Sequence, residues 1–443
     1  MRLLYTCLMW LMQPLLRWKL RRRARVEPLY LENVPARFGH YQDAPCRASD
    51  GLVWVHAVSL GETRTAALLI AGLRERLPGM RLLLTHGTAT GLEQGRALLR
   101  KGDLQTWQPW DTPGAVRRFL QHFKPRIGIL METEMWPNLV AQCQRAGIPL
   151  VLANARMSEK SAQLTHKLAW LARPAYASLT AVWAQTGQDA LRLANLGARV
   201  QGIFGNLKFD ATPNLAQLET GRAWRAGAKR PVVMFASSRE GEEQKLLEIL
   251  KVKMAFAQVD SAQAAINNIA NSIQWLIVPR HPQRFDAVAS LVQAHGFAVS
   301  RRSSWQGGPP PIAHTPTVWL GDTLGEMALY YGLADAALLG GSFEPLGGQN
   351  LIEAAACACP VVMGPHTFNF SEAAELAQAS GAAWRVTGLP EAFEVAQNLV
   401  SDSKKRGAMV NAAVSFSSAH RGALGKTVNA VVALLGQQGV DAL

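Results

Sequence analysis

The sequence predicts an α/β protein of two doubly wound domains, each a parallel sheet with helices on both faces. Two observations carry this. Short apolar runs, each followed by a turn and then an amphipathic segment, recur in two series along the chain, which is the rhythm of strand–helix–strand units. The length of 443 residues exceeds the ~250 at which one hydrophobic core stops growing, so two domains of about 200 residues each are expected. A composition of 49% hydrophobic and 18% charged residues suits a chain that is ordered nearly throughout.

Residues 1–26 form the first element. Leu3 to Leu16 are apolar apart from Thr6 and Gln13, and Arg17, Lys19, Arg21, Arg22, Arg23 and Arg25 follow them. The run is shorter than the ~20 residues a helix needs to span a bilayer. It has no small-residue cleavage site, and its basic cluster lies on the wrong side for a secretory signal. The pattern predicts an interfacial or shallowly inserted helix whose arginines hold anionic headgroups on the cytoplasmic face, with Trp10 and Trp18 at the interface. The alternative is an ordinary helix packed on the domain.

The first domain, 27–212, draws its strands from Val53–Ala57, Arg81–Thr85, Ile127–Met131, Leu150–Ala153 and Ala181–Ala184, with helices such as Thr65–Leu77 and Gly114–His122 between them. A junction near 209–220 leads to the second domain, 213–420. Its strands are Val232–Ala236, Trp275–Val278, Thr317–Leu320, Ala336–Gly340 and Pro360–Met363. Lys251–Gln274 reads as a helix with an expanded loop, and Gly307–Pro311 as a surface turn. The last segment, 421–443, holds a helix over about Arg421–Gln437 that packs back towards the junction.

Five scattered cysteines, Cys7, Cys46, Cys143, Cys357 and Cys359, show no metal-ligand spacing and fit a reduced compartment. The excess of 46 basic over 32 acidic residues, a net +14, calls for an anionic partner. No nucleic-acid-binding signature is present, and the basic run beside the apolar N-terminus favours a membrane surface.

Ligands of open parallel sheets bind at the carboxyl ends of the strands, so the loops there are the candidate sites. VWVHAVSLGE presents Ser59 and Glu62 just before a helix expected to start near Thr63. A carboxylate in that position could take a proton from a hydroxyl, or merely favour the helix dipole. ILMETEMWPN releases Glu132 and Glu134 from a strand end, on one side if the chain stays extended. NARMSEKS offers Arg156 and GNLKFD offers Lys208, a possible partner for phosphate or carboxylate.

In the second domain, ASSREGEE carries Ser238 and Arg239, VPRHPQRF carries Arg280, GDTLGEM turns at Gly325–Glu326, and GGSFEPLGGQNLIEAAA supplies Gly341, Ser342, Asn350 and Glu353. Glycines there would let backbone approach a phosphate at the start of a helix near Gln349, and Glu353 could accept from ribose hydroxyls. The sequence has no metal-chelating DxD in a suitable setting, no GxGxxG, no P-loop and no HExxH, so no metal or cofactor is expected.

Taken together, HAVSLGE, METEMWPN, NARMS, GNLKFD, VPRHPQRF, GDTLGEM and GGQNLIEAAACACPVVMGPHTFNF resemble the 3-deoxy-D-manno-octulosonic acid (Kdo) transferase family, in family order from the N-terminus to beyond residue 390. The resemblance implies a GT-B fold, two Rossmann-like domains facing across a cleft, with an N-terminal membrane-associated helix. It also implies an inverting, metal-independent glycosyltransferase that moves Kdo from CMP-Kdo to a lipid A precursor (lipid IVA) in lipopolysaccharide core biosynthesis at the cytoplasmic face of the inner membrane.

By the same resemblance Glu62 is the proton acceptor, and Glu132 and Lys208 stabilise the transition state. Pro279, Arg280, Leu324, Gly325, Glu326, Asn350, Leu351, Ile352 and Glu353 contact CMP, with Ser238, Arg239, Gly341 and Ser342 nearby. Ser59, Glu134 and Arg156 lie on the acceptor side. One departure is Pro35-Ala36-Arg37-Phe38-Gly39, where many relatives carry a glutamate in place of Ala36. Another GT-B sugar enzyme, such as a heptosyltransferase or an epimerase, and an inactive lipid-binding homologue are the competing readings.

Overall fold

The computed structural model describes residues 2–47, 51–259, 273–311 and 315–440. These divide into two compact units, Met1–Asp210 with Arg421–Leu443, and Ala211–His420.

The first unit is built on strands β1 Leu52–His56, β2 Arg81–His86, β3 Leu104–Trp107, β4 Ile127–Met131, β5 Leu150–Ala155, β6 Ala181–Ala184 and β7 Val200–Ile203, ordered β3-β2-β1-β4-β5-β6-β7. Every pairing among these strands is parallel. Successive side chains of a strand point to opposite faces, and β1 uses both. Leu52 and Trp54 pack with Phe119 and Leu139 on one face, and Val53 and Val55 with Leu69, Ile70 and Leu73 on the other. Burial on both faces is why the central strands read as continuous apolar runs.

The second unit repeats the plan with β8 Val232–Ser238, β9 Gln274–Pro279, β10 Ala298–Arg301, β11 Thr317–Leu320, β12 Ala336–Leu339, β13 Val361–Met363 and β14 Ala383–Arg385, ordered β10-β11-β9-β8-β12-β13-β14. Its pairings are also parallel. Helix Glu242–Val259 precedes residues 260–272, so the expanded loop expected within Lys251–Gln274 lies outside the described residues.

The strand order reverses between β1 and β4 in the first unit, and in the second, where β11 is inserted between β10 and β9, the connections from the two central strands diverge between β8 and β12. The crevice at such a reversal, beyond the carboxyl ends of the strands, is where doubly wound sheets bind ligands.

The N-terminus forms two helices, Arg2–Leu11 and Gln13–Ala24. Thr6 donates to Asn138 Oδ1 at 3.1 Å, and Tyr5 hydrogen bonds to the buried Asp111. Leu3, Leu4, Leu8 and Leu11 on the same helix are exposed. Among the described residues no helix is long and apolar enough to cross a membrane. Ala36, in the 3-10 turn Val34–Phe38, is fully buried against Leu92 and Trp107. The C-terminal helix Ala423–Val440 belongs to the first unit and packs on helix Leu60–Arg76.

Candidate active site

Glu62 does not precede its helix, as the sequence suggested; it lies within the first turn of helix Leu60–Arg76. Ser59 is the N-cap and accepts from the Glu62 N–H at 3.3 Å. The Glu62 carboxylate in turn accepts from the Ser59 hydroxyl at 3.0 Å and from the Val58 N–H at 2.8 Å. This reciprocal arrangement is a variant of the capping box, and it immobilises the carboxylate at the mouth of the β1–β4 crevice. Burial pushes the Glu62 carboxyl up to about 7 against the lowering effect of the Val58 N–H, and the negative charges of Glu132 and Glu134 add to the rise. A carboxyl at that value exchanges protons readily at neutral pH.

Glu132 and Glu134 do not share a side of an extended chain, because the strand ends at Met131 and the backbone turns. Glu132 adopts φ 60°, a left-handed conformation that costs a non-glycine residue ~1–2 kcal/mol. The end of β5 holds it there. The Glu132 N–H donates to Ala153 O at 3.0 Å, and Glu132 O accepts from the Arg156 N–H at 3.2 Å. Its carboxylate pairs with Lys208 Nζ at 3.2 Å, both side chains being largely covered. Trp136 Nε1 donates to Glu134 at 2.7 Å, yet burial keeps the Glu134 carboxyl above its ordinary value.

Lys208 reaches Glu132 because Asn154 ties their loops together. Asn154, itself at φ 53°, accepts from the Leu207 N–H at 3.0 Å through Oδ1 and from Gln185 Nε2 at 2.9 Å through its carbonyl. The structure thus gathers Ser59, Glu62, Glu132, Glu134 and Lys208 at one reversal point, with the Arg156 backbone as a brace.

The loop His86–Thr88 was not singled out in the sequence. The Gly87 and Thr88 N–H groups and the Thr88 hydroxyl donate to Val58 O at 3.2, 3.0 and 2.9 Å, so Val58, whose N–H restrains Glu62, is itself gripped through its carbonyl by the loop after β2. His86 Nδ1 lies 2.9 Å from Ala57 O and Gln105 Nε2 lies 3.0 Å from His86 Nε2, which assigns the proton to Nδ1. Burial lowers His86 to about 4 and His56 to about 3, so both rings stay neutral. The strand-like TH–G–T sequence carries no catalytic signature, and only the pairing of β1 with β2 reveals its role.

In the second unit the β8–β12 reversal is organised by Glu242, a fully buried carboxylate. It accepts from the Arg239 and Gly341 N–H groups, both at 2.8 Å, and from Phe343 at 3.2 Å. The neighbouring Glu243 takes Arg284 at 2.8 and 3.0 Å and the Ser238 hydroxyl at 2.8 Å. Ser238 and Ser342, expected among the donor contacts, are fully buried; the Ser342 hydroxyl accepts from Gly364 N at 2.8 Å. Both hydroxyls are turned inward, where they brace their loops.

Gly340 likewise serves packing, since a Cβ there would lie 2.3 Å from Ser237 O. Arg280, following Pro279 at the end of β9, donates to Gln349 at 3.1 Å. The helix expected near Gln349 starts at Leu351, capped by Asn350, whose Oδ1 accepts from Ile352 N at 3.1 Å. Leu351 and Ile352 are buried, so only their backbone can meet a ligand, while Glu353 is partly exposed. Leu324 is exposed, Gly325 has φ 77°, and Glu326 pairs with Arg302 at 2.9 Å. Among the described residues no group of three or more His, Cys, Asp or Glu side chains is gathered as metal ligands would be.

Two parallel doubly wound units, each with a built site at its reversal point, define the class. The fold is like that of the GT-B-like UDP-GlcNAc 2-epimerase from Neisseria meningitidis, with a TM-score of 0.52 at 14% identity over 87% of this chain and all of that one. The profile of a family described as "3-Deoxy-D-manno-octulosonic-acid transferase (kdotransferase)" matches residues 32–211.

A 3-deoxy-D-manno-octulosonic acid transferase of Bordetella pertussis is 44% identical over 427 residues, covering 95% of this chain and 96% of that protein. One of Haemophilus influenzae is 32% identical over 430 residues, covering 96% of each. The chain belongs to the 3-deoxy-D-manno-octulosonic acid transferase family and is a glycosyltransferase that transfers Kdo in lipopolysaccharide biosynthesis.

Proposed function

We propose that the chain transfers Kdo from CMP-Kdo to lipid IVA by a single, metal-independent displacement with inversion. The observation that carries this reading is the Glu62 carboxyl, fixed by Val58 and Ser59 and raised to about 7 beside the Glu132–Lys208 pair.

Glu62 takes the proton of a primary hydroxyl on the acceptor. The oxygen forms its bond to the anomeric carbon of Kdo while the bond to the CMP phosphate breaks and its electron pair leaves with CMP. Lys208, held by Glu132, offers positive charge to the developing negative charge, and Glu134 and Arg156 line the acceptor side. Pro279, Arg280, Leu324, Gly325, Glu326 and Asn350 through Glu353 hold the donor nucleotide, with Arg239 and Gly341 shaping the adjoining loop. The exposed apolar face of helix Arg2–Leu11 and the arginines after it support attachment to the anionic cytoplasmic face of the inner membrane.

The test is product mass spectrometry with CMP-Kdo and a tetraacylated lipid A precursor, with chelator present. Wild type adds Kdo, and the mass gives the number transferred. Glu62→Ala is folded and ~10²–10⁴-fold slower, the range of general-base catalysis. A fully active Glu62→Ala protein would assign the base elsewhere, and transfer that stops with chelator would overturn the metal-independent reading.

A further inference from the structure

A cavity of about 660 Å³ opens in the first unit between the two N-terminal helices and helix Pro113–Phe123. Its walls are apolar, with Trp10, Leu20, Val34 and Phe38, and Arg17, Arg21 and Arg118 stand around them; no Asp or Glu is among its lining residues. Arg17 lies 4.4 Å over the Phe38 ring. In the same 3-10 turn Arg37 is 4% exposed, stacks 3.8 Å over Trp107, and has no hydrogen-bond partner for Nε and Nη2 among the described residues. Arg118 Nη2 donates to Phe38 O, but the lining holds no carboxylate to balance Arg17, Arg21 and Arg118, and an apolar trough with a net positive rim matches an amphiphile with a hydrocarbon chain and a phosphate. At the ~30 Å³ of a water-sized unit in a liquid, the space holds one fatty-acyl chain.

The position of the cavity selects among amphiphiles. Thr112 and Ala115 of its wall follow β3, and the segment bearing Val34 is anchored by Trp107 Nε1 donating to Glu32 O at 2.6 Å. β3 is two strands from β1, which leads to Glu62, on the same carboxyl edge of the sheet. At ~4.8 Å per strand that is a span of roughly 10 Å, one that a phosphorylated disaccharide bridges. The exposed leucines of helix Arg2–Leu11, which also supplies Trp10 to the groove wall, add apolar surface on the same helix.

We propose that this groove is the acyl-chain subsite of the acceptor: a phosphorylated, acylated sugar lipid lays one chain against Val34 and Phe38, rests a phosphate on Arg17, Arg21 and Arg118, and presents its sugar hydroxyl to Glu62. This rests on the acceptor reading given above and names the part of the protein that recognises the lipid.

The full-length protein is assayed with a tetraacylated disaccharide bisphosphate and with its O-deacylated form, comparing wild type with Val34→Trp, which fills the groove, and Arg118→Gln, which removes a charge without adding bulk. The expected result is a KM for the acylated acceptor raised about tenfold in each, with kcat and the KM for CMP-Kdo within about twofold. For Val34→Trp the KM for the deacylated acceptor changes far less, so the preference for acylation collapses. An unchanged KM for the acylated acceptor in both variants overturns the subsite while leaving the acceptor reading intact. Wild type that transfers to neither acceptor overturns that reading, and the subsite with it. Equal loss of binding to phosphatidylglycerol vesicles lacking acceptor assigns the groove to bulk lipid and also overturns the proposal.

Discussion

Glu62 combines two demands that oppose each other at the level of a single side chain. Its hydrogen bonds to Val58 N and Ser59 Oγ favour the charged form, while burial and the neighbouring glutamates favour the neutral one. The balance, near 7, fixes the pH dependence. As the proposed base, Glu62 must be unprotonated, so kcat/KM is expected to rise tenfold per pH unit below about 7 and level above it, which a pH–rate profile measures. Glu132→Gln removes a negative charge that raises Glu62, so its acid limb moves to lower pH even as the rate falls. The grip on Val58 O from Thr88 acts one step further out. Thr88→Val loses one of three donors to that carbonyl, and kcat is expected to fall about tenfold, the worth of one hydrogen bond, with a displaced acid limb. Thr88→Ser restores both, whereas a merely structural loss would lower the melting temperature without moving the limb.

At the scale of elements, the ten strands read from the sequence are the interior ones, and the four it did not reveal, β3, β7, β10 and β14, are the sheet edges. Interior strands are covered on both faces and show as unbroken apolar runs, such as LVWVH and IGILM. Edge strands LQTW, VQGI, AVSR and AWR mix polar residues into three or four positions, too short for a period to emerge. Site residues on loops after interior strands were legible for the same reason, whereas Glu242 was hidden because its role depends on two distant N–H groups converging on it. Helix contacts were equally invisible. Helix Leu215–Gly227 lies against helix Met327–Leu333 so closely that a Cβ on Gly221 would fall 2.1 Å from Leu329 O, and one on Gly332 2.5 Å from Leu218 O. Gly221→Val therefore forces the pair apart, at a cost of about 1–3 kcal/mol or more. It is expected to lower the melting temperature and weaken CMP binding, while the pH at which Glu62 titrates stays put.

At the scale of the molecule, the chain returns to its first unit only at the end. Asp210, the last residue of that unit's first segment, accepts from Gly422 N at 2.7 Å and Leu424 N at 2.8 Å, capping the helix that completes the unit. That helix buries Ala423, Val428, Val431 and Leu435 in the cluster containing Leu69, Ile70 and Leu73 of helix Leu60–Arg76, the helix whose first turn carries Glu62. At ~1.5–3 kcal/mol per fully buried large apolar side chain, its removal subtracts a large part of the ~5–15 kcal/mol by which a domain is stable. A chain ending at His420 is therefore expected to lose the first unit, although every deleted residue lies beyond the second. Hydrogen exchange should find the amides of β1 and helix Leu60–Arg76 unprotected, while those of β8 and β12 remain protected and CMP still binds. A peptide of residues 421–443 added in trans should restore protection to β1. Equal loss of protection in both units would mean that they unfold as one, and retained protection in β1 would mean that the helix contributes little to the core it covers.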